Sequence, residues 1–129
     1  MVNLFLGPTH DLSFLYNDEE AMRVTPQEIA TFIMQDEIVA VYNGRSEAGP
    51  RALGNRSILY DPRDINTKDT INKVKKRERF RPFAAAVLKD YANQWFDMSG
   101  LNRSPTMSYA VQTIEDKKEL IPGCLLYTS

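Results

Sequence analysis

Apolar positions along this chain follow two different periods, and the change of period marks out its elements. In "TPQEIATFIMQ" the residues Ile29, Phe32 and Ile33 share one face at helical spacing. Thr25 stands at the N-cap, Pro26 at the first helical position and Glu28 three residues on, so the stretch predicts a helix opened by a capping box. "EIVAVYNG" (37–44) is short and β-branched and stops at Asn-Gly, which predicts a strand. "RSILY" (56–60) predicts a second strand, ended by Asp61-Pro62. A helix through "TKDTINKVKK" follows, with Asp64 or Asn66 as its cap and Ile71 and Val74 as its buried positions. Pro82 disfavours helix at Arg81 and closes that element.

Beyond it, "FAAAVL" (83–88) reads as a buried strand and "KDYANQWF" (89–96) as a short amphipathic helix. "MSYAVQTI" (107–114) alternates like a strand. In the helix at 89–96, Tyr91, Trp95 and Phe96 are expected in the core, with Met98 and Met107 as gap-fillers. Helices interleaved with short strands predict an α/β or α+β domain over residues 25–122. Residues 1–24, with "NDEE" at 17–20, read as a linker. The closing "PGCLLYTS" breaks the pattern, so residues 123–129 read as a non-native tail.

Composition adds several exclusions. A 129-residue chain with 43% hydrophobic residues supports one modest core. Its apolar runs are too short to span a membrane, and "MVNLFLGPTHD" lacks the basic start of a secretory signal. The one cysteine, Cys124, excludes an internal disulfide framework and a cysteine-based zinc site, and a cytoplasmic setting is expected. The single histidine, His10, is a poor basis for a metal site.

Charge changes the picture more. Net charge is −1, yet residues 45–81 hold 11 Lys and Arg against 5 Asp and Glu, and the remainder holds 5 against 12. One cationic segment inside an acidic chain points to a local anion site and away from general nucleic-acid affinity.

Its first half is "GRSEAGPRALGNRSILYDPR" (44–63). Arg45, Arg51, Arg56 and Arg63 recur among Gly44, Gly49, Gly54, Pro50 and Pro62. Glycine lets backbone N–H groups approach phosphate oxygens, and arginine grips an oxyanion with a planar fork. Glu47 lies between Arg45 and Arg51, where it would orient an arginine or bind magnesium. The bland alternative is a solvated loop held by ion pairs. In the second half, "NKVKKRERFRPFA", most charges are expected to face solvent, but Phe80 and Phe83 flank Arg81 and are expected to fix it.

Together, "GRSEAGPRALGNRSIL-DPR" and "IN-VK-RE-FRPFA" resemble the hallmark of the ATP-dependent O-carbamoyltransferases, the family of nodulation-factor, cephamycin and tobramycin carbamoyltransferases. The likeness extends to "LGP" near the start and to "SPTMSYAV" (104–111). It implies a C-terminal YrdC-like domain, a twisted mixed sheet with flanking short helices, incomplete at its C-terminus. It further implies that carbamoyl phosphate and ATP (with Mg2+) combine there into carbamoyl-adenylate. The carbamoyl group would then pass to an acceptor hydroxyl bound by an actin-like N-terminal domain, which holds the family's metal ion and lies outside this chain.

By that resemblance Lys75 and Arg81 hold carbamoyl phosphate, and Arg45, Arg51, Arg56 and Ser57 hold phosphates, with Asn55 and Arg77 as further contacts. Ala85 stands where the family usually has proline, Tyr60 where it usually has a small residue, and the family's later "TSFN"-like segment is missing. The alternative is a non-catalytic nucleotide- or RNA-binding module of the same fold.

Overall fold

A computed structural model describes residues 7–124. The chain forms two compact units, Met1–Tyr60 and Asp61–Ser129. Helices and small antiparallel sheets make an α+β chain, with no closed barrel among the described residues.

In the first unit, helix α1 (Pro26–Met34) starts as the capping box requires. Thr25 Oγ1 accepts from Glu28 N, and the Glu28 carboxylate accepts from Thr25 N at 2.7 Å. Strand β1 (Val39–Tyr42) pairs antiparallel with β2 (Arg56–Leu59). The register sets Val39 opposite Leu59 and Tyr42 opposite Arg56. The 7–24 segment carries a 3-10 turn, Ser13–Asn17, and a β-bridge from Thr9 to Arg45. Phe14 meets the Tyr42 ring edge-on at 6.3 Å.

The second unit holds every buried residue among those described. Its core is Ile71, Ala92, Met98 and Ile121, with Asp61, Thr67, Asn72 and Gly123 buried beside them. Helix α2 (Thr67–Val74) is entered through Asp64, whose carboxylate accepts from Asn66 N at 2.8 Å. Asn66, at the N-cap, makes no side-chain capping bond. At its start Thr67 donates to the carbonyls of Asp61 and Asp64, both at 2.6 Å, and packs on Gly123. Val74 lies about 10 Å further along the axis at ~1.5 Å per residue. It is 51% exposed, not buried as its period predicts, and Asn72 is the residue wholly enclosed.

Two strand expectations fail in this unit. Residues 83–88 form no strand, and Ala84 to Leu88 are exposed, because no strand among the described residues pairs with them. Of 107–114 only β4 (Gln112–Thr113) pairs, with β3 (Phe96–Asp97). Met107 adopts a positive φ of 51°, which ends any extended run there. The helix at 89–96 is a 3-10 turn, Lys89–Tyr91, leading into α3 (Ala92–Trp95), and Phe96 already belongs to β3. Met98 is buried and Trp95, Phe96 and Met107 half-buried, but Tyr91 is exposed. Of the expected non-native tail, 125–129 lie outside the described residues. Gly123 is firmly seated, with its N–H on Pro62 O at 2.9 Å. No helix is long and apolar enough to cross a membrane among the described residues.

Candidate functional site

Each unit carries part of the cationic segment, and each part is built differently. In the first unit the glycine-arginine loop connects β1 to β2. Gly44, Gly49 and Gly54 all take positive φ, which lets the chain turn three times within twelve residues of the sequence. Glu47 turns inward. Its Oε1 accepts from the N–H groups of Leu53, at 3.0 Å, and Asn55, at 2.6 Å. This carboxylate therefore braces the loop. Asn55 in turn donates to Arg45 O at 2.9 Å, and its carbonyl accepts from Asn43 N. Ser57 Oγ accepts from Gly54 N at 3.0 Å.

Arg56 stands at the centre of this loop for a reason of register. Opposite Tyr42, its guanidinium lies over that ring at 3.6 Å. It donates to the carbonyls of Asn43, Asn55 and Gly44. Arg45 Nε donates to Gly7 O at 2.8 Å, and His10 Nε2 meets Ser46 Oγ at 2.7 Å. Arg51 differs from both. It is exposed, and no hydrogen bond or ion pair among the described residues engages it. The structure thus gathers Arg45, Glu47, Asn55, Arg56 and Ser57 into one bonded loop and leaves Arg51 projecting from it.

In the second unit the organising residue is Asn72, which sequence reasoning missed. Its side chain is 0% exposed. Nδ2 donates to the carbonyls of Arg79, at 3.2 Å, and Arg81, at 2.9 Å, while Oδ1 accepts from Arg77 Nε. Arg77 also donates to Pro82 O and stacks on Phe83, 4.4 Å from the ring centre. Phe83 therefore fixes Arg77 and not Arg81, and Phe80 is 77% exposed. Arg81 pairs with Glu78 at 2.9 Å, and Arg79 pairs with Asp69. The bond from Arg79 holds the Asp69 carboxyl below the usual carboxylate range. Lys75 ends α2 with its N–H on Ile71 O, and its exposed amine is engaged by no protein group among the described residues.

Helical spacing does not single out Asn72, which is neither three nor four residues from Thr67 or Ile71, and only its burial in α2 marks it. The signal for Tyr42 is the strand register. Among the described residues no three His, Cys, Asp or Glu side chains converge as metal ligands.

The profile of the family described as "Carbamoyltransferase C-terminus" matches residues 30–126. Nodulation protein NolNO of Sinorhizobium fredii is 47% identical over 94 residues, covering 71% of this chain and 14% of that protein. Nodulation protein NolO of Bradyrhizobium diazoefficiens is 44% identical over 94 residues, 71% of this chain and 17% of that protein. Nodulation protein U of Rhizobium tropici is 40% identical over 104 residues, 81% of this chain and 18% of that protein. The chain spans less than a fifth of the length of these relatives.

Proposed function

Because the chain belongs to the carbamoyltransferase C-terminus family, we propose that it binds carbamoyl phosphate and ATP and serves the formation of carbamoyl-adenylate. The observation that carries this reading is the glycine-arginine loop, a backbone pinned from within by Glu47, Asn55 and Arg56 so that Arg51 projects from a prepared scaffold. A rigid loop with an unengaged guanidinium suits a phosphate, since little ordering remains when the anion arrives.

Phosphoryl chemistry needs positioning and charge neutralisation more than a protein nucleophile. In this reading carbamoyl phosphate loses its phosphoryl group to water, leaving carbamate. A carbamate oxygen then attacks the α-phosphorus of ATP, and diphosphate leaves. Lys75 and Arg81 bind carbamoyl phosphate, and Arg51, with Arg45, Asn55, Arg56 and Ser57 in its loop, binds phosphate oxygens. Magnesium comes with the ATP phosphates. The YrdC-like fold, the acceptor hydroxyl and the metal-bearing actin-like domain of the whole protein belong to the same proposal.

Calorimetric titration with carbamoyl phosphate, then with ATP and magnesium, tests it. Saturable binding is expected, weakened about ten- to a hundred-fold in Lys75→Ala and Arg51→Ala, as loss of one charge-assisted bond of ~1.5–3 kcal/mol requires. Absence of binding in a chain that unfolds cooperatively would overturn the assignment. Tight binding of polynucleotide that collapses with added salt would favour the RNA-binding alternative.

A further inference from the structure

Resting on that reading, we propose that Asn72 is a positioning residue, one that holds Arg77 as a preformed grip for a substrate oxyanion. A guanidinium has five N–H donors. Asn72 Oδ1 takes the one on Nε, and Pro82 O takes one on Nη2 at 3.4 Å. The Phe83 ring covers one face. The remaining donors, both of those on Nη1 among them, are engaged by no hydrogen bond among the described residues, and the residue is only half-buried. An arginine held at Nε and by one face presents its outer edge in one orientation, the arrangement that two-point binding of phosphate or carboxylate requires.

Asn72 is suited to this task because every side-chain bond it makes goes to one short segment. Its two Nδ2 protons meet the carbonyls of Arg79 and Arg81, and its backbone carbonyl accepts from Arg77 N at 3.1 Å. Residues 77–82 are thereby fastened to α2 from inside. The side chain itself, fully enclosed, cannot touch a ligand. Its effect on an anion must pass through Arg77 and the segment it holds.

The test is magnetic resonance of the chain labelled with 15N-arginine, the Arg77 Nε–H signal being identified by its loss in Arg77→Lys. Inorganic phosphate and carbamoyl phosphate are titrated separately. The Arg77 signal is expected to exchange slowly and to shift with both anions. Asn72→Ala is expected to speed its exchange and to weaken anion binding about tenfold, and to weaken it no further when Arg77 is already alanine. An Arg77 signal that neither anion moves overturns the proposal, as does an equal loss with and without Arg77. Carbamoyl phosphate binding with Arg77 silent removes this inference and leaves the functional reading standing. A response to inorganic phosphate alone leaves the grip standing and removes the carbamoyl phosphate reading. If Asn72→Ala does not fold, Arg77→Lys decides, because it leaves Asn72 in place and must still lose about tenfold in affinity.

Discussion

Gly123 and Glu47 are residues whose chemistry resists exchange. A Cβ added at Gly123 would lie 2.6 Å from Thr67 Cβ and 2.9 Å from Pro62 O, both rigidly held. Gly123→Ala is expected to destabilise the second unit by about 1–3 kcal/mol, as overpacking does, read from the urea midpoint. At Glu47 the matter is hydrogen bonding. Removing its oxygen in Glu47→Ala leaves the Leu53 and Asn55 amides without their acceptor at a cost of roughly 1–3 kcal/mol. Amide exchange at those two residues should accelerate, and Glu47→Gln, which keeps an oxygen there, should restore most of the protection. If Gln behaves like Ala, the charge and not the acceptor organises the loop.

Among the elements, α1 and α2 depend on different things. Helix α1 has no buried residue, so its start relies on the reciprocal bonds of Thr25 and Glu28. Those bonds hold the Glu28 carboxyl below its ordinary value. Thr25→Ala is expected to cost about 0.5–2 kcal/mol, visible as lost helical circular dichroism before global unfolding. Helix α2 is instead held by tertiary contacts at Thr67, Ile71 and Asn72. Its ion pair from Asp69 to Arg79 joins partners 42% and 81% exposed. Asp69→Asn should therefore change stability by less than about 1 kcal/mol, and even that in low salt only.

Across the whole molecule, stability is expected to be uneven. Native-state hydrogen exchange should find the slowest amides in the second unit, around Ile71 and Lys75, and faster exchange through residues 26–60, where no described residue is buried. Acid should act on the second unit through Asp61. The side-chain bond from Arg63 holds this buried carboxyl below its ordinary value, outweighing the opposing effect of burial. A lowered folded value means that the contribution is complete above the unfolded carboxylate value of ~3.9 and disappears as pH falls through the folded one. Urea midpoints measured from neutral to acid pH should decline over that range, and Asp61→Asn should flatten the decline. An unchanged slope in the variant would place the acid sensitivity elsewhere.

The local features were legible in the residues alone: the capping box at Thr25, the strands around 39–42 and 56–59, the helix over 67–74 and the α+β class. So was the family, through two ordered motifs. Each rests on neighbours in sequence, where spacing dictates geometry. Tertiary structure decided the rest. "FAAAVL" has the propensity of a strand, but a strand needs a partner backbone, which spacing cannot supply. Glu47 reads as a carboxylate that would orient an arginine or bind magnesium, and only the tertiary structure shows its Oε1 accepting from the Leu53 and Asn55 amides. Arg81 stands between two phenylalanines in the sequence, yet Phe83 turned to Arg77 because Asn72 held the segment from beneath. Which cations a fold binds to itself, and which it leaves for a ligand, depends on contacts that form only when the chain closes.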